Sequence, residues 1–329
     1  MTTYNIAFEQ SQYQAVADKA AKYYQEKAKV GANMAFVKAD VPDAYSYRYV
    51  HLGDPIASRS GVDWSPSGER GRVTHQYTDY DLYTEQMDLF FDLNEMNKYG
   101  SSLIADKKAA IIDKWALNVD YRHLHGPRAG YGASGFATGE PYGTQLAEGL
   151  IGQLTSIENL DGTDSTLNVK GDIWYAMNTM IDGIPHGMRQ EGAPIIMFTD
   201  EYVAKEAFAP DRIFQDKVEG DFIMEYLLGS KAPEGRKIGK WIVTNNLLCD
   251  LNDDTDGDNA DTADTLGTHS RIMMYVPDER WSGRIISRGF SLVGEEQKAL
   301  GTKQIWGWKG RAVWFNTDCA EFSEAIQWA

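Results

Sequence analysis

The feature that most constrains this fold is a long run of residues without a helix breaker at positions 101–125. The segment reads SSLIADKKAAIIDKWALNVDYRHLH and contains neither Gly nor Pro. Ser101 and Ser102 are suited to cap its first turn, and Gly126 and Pro127 end it. The sequence therefore predicts one helix, which at 1.5 Å per residue is about 36 Å long.

The side chains of this predicted helix divide into an apolar face and a polar face. The apolar residues at helical spacing are Ala105, Ala109, Ile112, Ala116 and Val119, widened by Ile104, Ile111 and Trp115. The polar face carries aspartates at every seventh position: Asp106, Asp113 and Asp120. We predict that the side chains of Leu103, Ile111, Ile112 and Trp115 lie in the core of their own chain.

Length and charge restrict the class of protein. A chain of 329 residues exceeds the usual size of one domain, so we expect two lobes. The 48 acidic residues outnumber the 32 basic ones and give a net charge of −16, which argues against a basic nucleic-acid reader.

Cys249 and Cys319 lie far apart, and a reducing compartment is the default expectation. The first residues lack the pattern of a signal peptide, and no apolar run reaches membrane-spanning length, so we expect a soluble protein made in the cytoplasm.

The sequence of the first third of the chain predicts two elements that have no hydrophobic core of their own. Residues 8–29 have the pattern of an amphipathic helix, which we interpret as a terminal arm. Two Tyr-rich stretches with the alternation of strands flank a polar segment, IASRSGVDWSPSGERG, and predict a long hairpin over residues 45–84. Such a hairpin needs another surface to bury its side chains, although a flexible surface loop is an equally good interpretation of the segment alone.

The remainder alternates helices and strands. Residues 169–183 predict a helix, APIIMFT predicts a buried strand, and Asp200 begins a further capped helix. Residues 218–248 predict further strands separated by Gly-rich turns. The last sixty residues are rich in strand formers, with a tight turn predicted at Lys309-Gly310.

No motif in the sequence predicts catalysis. Gly130, Gly132 and Gly135 match GxGxxG, but a helix precedes them and no strand does, so we treat the match as coincidence. Asn252, Asp254 and Asp256 imitate the first half of a calcium loop, whereas Ala263 occupies the position of the bidentate Glu. We therefore interpret residues 250–268 as a solvated acidic loop and expect neither catalytic residues nor a cofactor.

The order of these parts resembles the Hong Kong 97-type major capsid protein of tailed double-stranded DNA viruses of bacteria or archaea. A terminal arm leads to a projecting hairpin, a long Ala-rich helix, a compact α/β lobe and a closing strand pair, IWGWKGRAVWFNTDCAEF. The resemblance implies an α+β fold with an arm (1–44), an extended hairpin (45–82), an axial domain (151–269) and a peripheral domain. The peripheral domain would comprise residues 83–150 and 270–329, with residues 101–125 as its spine helix.

The resemblance also implies a function. Such a chain assembles into pentamers and hexamers of an icosahedral head, which encloses the DNA without binding a specific sequence. The residues expected to contact another copy are Tyr47, Tyr49, Trp64 and Tyr77. The expected location is the virion, after assembly in the host cytoplasm, and the expected partners are a portal, a separate scaffolding protein and a decoration protein.

One departure from the family and two alternative functions bear on these expectations. Some members crosslink a hairpin Lys to a neighbouring Asn, but no Lys occurs here between Lys38 and Lys98, so we expect no covalent crosslinks. An encapsulin-like compartment has the same fold and encloses an enzyme. A soluble calcium-dependent enzyme or binding protein is the second alternative, and it would be a monomer or a small oligomer.

Overall fold

The structure is a computed structural model in which part of the chain is described. The described residues are 29–38, 44–52, 75–125, 149–151, 153–154, 158–159, 171–191, 194–244, 247 and 269–326. Four predicted features lie outside these residues: the arm helix up to residue 28, the hairpin tip with Trp64, the glycines of residues 130–135, and the acidic loop with Asn252, Asp254 and Asp256.

The predicted long helix is present, but it begins earlier than predicted. Helix α1 spans Leu93–His125, so its start lies eight residues before Ser101 and its end is where we predicted it. Asp92 caps it: its Oδ1 accepts a hydrogen bond from the N–H of Asn94 at 2.7 Å. The prediction that Ser101 and Ser102 cap the helix was therefore wrong, because the preceding strand ends in a residue that is itself a good cap.

Helix α1 packs on one face of a four-stranded sheet. In spatial order the strands are β1 (Phe36–Lys38), β11 (Ser282–Lys298), β12 (Gly301–Trp314) and β4 (Tyr83–Asp92). Ile111, Ile112 and Trp115 are buried against the sheet with Trp306 and Trp308, which confirms their predicted place in the core. Ala105 is exposed, although it was predicted on the apolar face, and the side chains of Leu103 and Ile104 lie outside the description.

The turn predicted at Lys309-Gly310 was wrong. Strand β12 runs through both residues and pairs with β11 on one side and β4 on the other. Gly310 instead allows β11 and β12 to pack closely, because a Cβ there would lie 2.4 Å from the carbonyl oxygen of Ile285. The chain reverses instead between Lys298 and Gly301.

A second, five-stranded sheet forms the core of the other lobe. In spatial order its strands are β5 (Glu158–Asn159), β13 (Ala320–Ile326), β10 (His269–Tyr275), β6 (Ile195–Thr199) and β9 (Ile238–Val243). Strand β6 is buried along its whole length, as predicted from APIIMFT. Strands β10 and β13, from the last sixty residues, belong to this sheet.

Short helices surround the second sheet. They are α2 (Asp172–Gly183), α3 (His186–Glu191), α4 (Glu201–Ala207) and α5 (Glu219–Ile223), the last of which continues as a π-helix over Met224–Leu228. Asp200 caps α4 by accepting the N–H of Val203 at 2.9 Å, as predicted. The strands predicted for residues 218–248 were wrong over α5 and the π-helix, and correct at β9.

The predicted hairpin is present. Strands β2 (Ser46–Leu52) and β3 (His75–Asp81) pair antiparallel, from Ser46 opposite Asp81 to Leu52 opposite His75. The hairpin closes at its base, where the N–H of Leu82 donates to the carbonyl oxygen of Tyr45 at 2.9 Å. Of the helices in the described part of the chain, none is long and apolar enough to cross a membrane.

Candidate assembly interface

The inward face of the hairpin packs on its own chain. The ring of Tyr49 stacks on the ring of Phe315, with centroids 4.1 Å apart and planes 5° apart. Tyr47 and Tyr80 contact the same Phe315 ring at 6.4 and 5.8 Å. The hydroxyl of Tyr49 donates to the carbonyl oxygen of Arg280 at 2.8 Å. Burial raises the pKa of both Tyr49 and Tyr80. The base of the hairpin is therefore part of the core of its own subunit.

This packing bears on two of the residues expected to contact another copy. Tyr47 and Tyr49 are half-buried and share the small apolar cluster of Leu82, Ile285, Val313 and Phe315. The structure thus gives both tyrosines a role within the chain, which the sequence analysis did not foresee. Nothing in the sequence around Tyr49 pointed to Phe315, because the two residues lie far apart along the chain. Contacts of Tyr47 and Tyr49 with another copy stay a prediction.

The outward face of the hairpin is open and becomes more apolar away from the base. Arg48 and Asp79, directly opposite each other, form a bidentate ion pair at 2.7 Å for each bond. This pair holds the pKa of Asp79 below its usual range, chiefly through the hydrogen bond to Arg48. The next cross-strand pair on this face is Val50 and Tyr77, which are 43% and 62% exposed. Tyr77 therefore has the exposure that a contact with another copy needs, and the outward face of the hairpin is the candidate assembly interface.

The second lobe also exposes apolar side chains, beside a two-residue turn. Tyr175 and Ile213 are exposed, and the ring of Tyr175 contacts the edge of Phe214 at 5.8 Å. Strands β7 (Ile213–Phe214) and β8 (Lys217–Val218) are joined through Gln215 and Asp216, whose φ angles are 47° and 69°. Residues other than Gly, Asn and Asp rarely adopt this backbone conformation, so the backbone at Gln215 is locally strained.

A buried aspartate of α1 binds the backbone at the first described residues of the chain. The carboxylate of Asp120 accepts the backbone N–H groups of Lys29, Val30 and Gly31 at 3.1, 2.9 and 2.8 Å. Asp120 is fully buried, which corrects its predicted place on the polar face of the helix. The seven-residue spacing of the aspartates along the helix could not reveal that Asp120 binds backbone groups about ninety residues away. On the other side of the segment, the hydroxyl of Tyr275 donates to the carbonyl oxygen of Asn33.

The described residues contain no cluster of three or more His, Cys, Asp or Glu side chains that could hold a metal ion. Cys319 is buried, and desolvation raises the pKa of its thiol. His123 is buried at 5.7 Å from the ring of Trp308, and its pKa is lowered to about 3, first by desolvation and second by the charge of Arg284. A buried neutral imidazole and a buried thiol of raised pKa are typical of packing roles.

Comparisons with known proteins identify the fold. No family model matches the chain, and no curated protein matches its sequence. Among solved structures, the capsid of Myoviridae phage XM1 matches over 89% of this chain and 90% of its own, with a TM-score of 0.59 and 12% identity. The capsid of Ralstonia phage GP4 matches over 93% and 91%, with a TM-score of 0.56 and 10% identity. Gordonia phage Cozz matches over 91% and 85%, with a TM-score of 0.55 and 12% identity.

Proposed function

We propose, from the Hong Kong 97-type α+β fold of this chain, that it is the major capsid protein of a tailed double-stranded DNA virus. The observation that carries the proposal is the extent of the match, which includes about nine-tenths of this chain and of the phage capsid chain alike. Many copies form pentamers and hexamers, and these close into the icosahedral head. A ring of this kind needs a heterologous contact, in which one patch meets a different patch on the next copy.

The hairpin provides one side of that contact. Its base is fixed on Phe315 of its own subunit, so the direction in which it projects is set before assembly. Its outward face then presents Val50 and Tyr77 to the neighbouring copy. Burying a tyrosine together with an aliphatic side chain is typical of the centre of a protein interface. Trp64, farther along the hairpin, belongs to the same proposed contact.

The charge of the chain suits a wall that encloses DNA. A protein that binds DNA tightly neutralises phosphates with Lys and Arg, whereas this chain has a net charge of −16. The genome is therefore enclosed without sequence-specific binding and moves freely past the wall. The resemblance to the family supports the further partners: a portal, a separate scaffolding protein and a decoration protein. Assembly takes place in the cytoplasm of the host.

The shell is held without covalent crosslinks. The hairpin segment 45–82 contains no Lys, so it offers no side-chain amine for an isopeptide bond with a neighbour. In boiled particles this chain should run as a single band at 36.8 kDa on a denaturing gel. A ladder of covalent multimers that survives denaturant and reductant would contradict this part of the proposal.

The test of the proposed function is the content of the particles. Virions that contain the chain should be purified, treated with nuclease and analysed for protected nucleic acid. We expect closed particles that protect double-stranded DNA, with this chain as their most abundant protein. Particles that enclose a protein cargo and no DNA would identify an encapsulin-like compartment and contradict the viral role.

A further inference from the structure

The first described residues of the chain cross from helix α1 to both sheets. Residues 29–38 begin at the carboxylate of Asp120, which accepts the N–H groups of residues 29–31. They then contact two strands of the five-stranded sheet, and they end as strand β1 of the four-stranded sheet. We call residues 29–38 the strap, because they connect three separate elements of the fold.

The middle of the strap is bound to the five-stranded sheet through one residue, Asn33. Its carbonyl oxygen accepts the hydroxyl of Tyr275 in β10, and its Oδ1 accepts the Nζ of Lys240 in β9 at 3.1 Å. The Nδ2 of the same side chain donates to the carbonyl oxygen of Lys29 at 2.7 Å. Asn33 therefore connects the sheet to the turn that Asp120 holds.

The apolar side chains of the strap are shared between two hydrophobic clusters. Val30 and Met34 are buried in the cluster around the five-stranded sheet. Ala32, which lies between them in sequence, packs against the cluster that α1 forms with the four-stranded sheet. Close-packed side chains transmit strain rather than yielding to it. A segment that packs into both clusters therefore resists movement of one sheet against the other.

The far end of the strap joins the four-stranded sheet. The N–H of Arg284 in β11 donates to the carbonyl oxygen of Ala35 at 2.7 Å. Phe36 is the next residue and lies opposite Arg284 in the parallel pairing of β1 with β11. Strand β1 has only three residues, and Phe36 is 49% exposed. Because little of this end is buried, its position depends on the anchors that precede it.

We infer that the strap restrains the movement of the two sheets relative to each other, and that Asp120 keeps it in place. Packed units rotate or slide past each other only when the contacts that span them rearrange. The strap spans both sheets, and one carboxylate holds its first turn through three charge-assisted hydrogen bonds. Without that carboxylate, the strap follows either sheet alone and the sheets reorient more freely. The inference goes beyond the proposed function and does not depend on it, because every contact lies within one subunit.

The first experiment measures distances between the two lobes in unassembled subunits. Spin labels are attached at Asp106→Cys in α1 and Lys205→Cys in α4, two exposed positions that lie beside different sheets. Cys249→Ser is included in every variant, and Cys319 is left in place because it is buried. Pulsed electron resonance then gives the distribution of distances between the two labels.

We expect a wider or shifted distribution of these distances in Asp120→Ala than in the protein with Asp120. Asp113→Ala is the matched control, because Asp113 lies on the same helix one heptad earlier and makes no part of the strap. The control should give the same distribution as the protein with Asp113. Equal distributions with and without the Asp120 carboxylate would overturn the inference.

The second experiment removes the middle anchor and leaves Asp120 in place. Tyr275→Phe keeps the ring and loses only the hydroxyl that donates to Asn33. The amides at both ends of the strap, residues 29–31 and β1, should exchange about fivefold faster, because loss of a buried hydrogen bond loosens a cooperative segment as a whole. Tyr175→Phe, at an exposed tyrosine of the same lobe, is the control and should change neither end.

Unchanged hydrogen exchange at either end of the strap in Tyr275→Phe would overturn the inference, even if Asp120→Ala fails to fold. Both measurements use unassembled subunits. Failure of the wild type to form particles would therefore contradict the proposed function alone.

Discussion

The ring of Tyr49 lies flat on the ring of Phe315, at a centroid distance of 4.1 Å. Tyr49 belongs to the projecting hairpin, and Phe315 follows the last strand of the helix-bearing sheet. The contact therefore fixes the base of an element that otherwise extends away from the body. An assembly contact made by such an element is effective only if the element points in one direction before the neighbour arrives.

Tyr49→Ala should loosen the hairpin while the rest of the chain stays folded. The substitution removes a stacked aromatic pair and leaves a gap beside Phe315, which we expect to cost about 2 kcal/mol of unfolding free energy. Hydrogen exchange should become faster in β2 and β3 and stay unchanged in β6. Tyr49→Phe is the control: it keeps the ring and removes only the hydrogen bond to Arg280, at a cost of about 1 kcal/mol. Equal exchange rates in β2 and β3 for the wild type and Tyr49→Ala would show that the stack does not hold the hairpin.

Asp120→Ala should release residues 29–31 from helix α1. The three backbone N–H groups of residues 29–31 lose a charged acceptor in a buried place, which we expect to cost about 3 kcal/mol locally. The amides of Val30 and Gly31 should then exchange much faster. Asp113→Ala is a matched control on the same helix, one heptad earlier and only half-buried. Slow exchange of both amides in the Asp120 variant would contradict the assigned role.

These two sites show what the sequence predicted and what it could not. Hydrophobic periodicity located α1, β6 and the hairpin, because those elements depend on neighbours within a few residues. It placed Asp120 on a polar face and did not predict that Tyr49 packs on Phe315, because Val30 and Phe315 are distant along the chain from these two residues. The start of α1 was missed for a local reason: Asp92 is both the last residue of a strand and the cap of the helix.

Gly310→Ala should destabilise the long strand pair. The added methyl group would lie 2.4 Å from the carbonyl oxygen of Ile285, an atom of the paired backbone that has little room to move. We expect a loss of about 2–3 kcal/mol in denaturant unfolding. Gly289→Ala, in the partner strand, is the control: its Cβ would meet no atom within 4 Å, so its effect should stay within about 0.5 kcal/mol. Similar denaturant concentrations at the unfolding midpoints of the two variants would contradict the close strand packing at Gly310.

His123 should make the subunit less stable in acid. Its pKa is about 3 in the fold and about 6.5 in the unfolded chain, so between these values only the unfolded chain binds the proton. Its contribution to stability is complete above pH 6.5 and is lost as the pH falls toward 3, at about 1.4 kcal/mol per pH unit. The free energy of unfolding of unassembled subunits should be measured in urea from pH 6 to pH 4. As the pH falls, it should decrease less steeply in His123→Gln than in the wild type, by about 1.4 kcal/mol per pH unit. Identical slopes in the two proteins would contradict the buried neutral state.

The mass of the protein in solution tests the central claim most directly. The full chain, expressed alone and purified, should be followed by sedimentation velocity over a wide range of concentration and salt. We expect species of five or six copies and larger shells, tubes or sheets, and the fraction of 36.8 kDa monomer should decline as the concentration rises. A single 36.8 kDa species at every concentration and salt, with a folded hairpin, would contradict it.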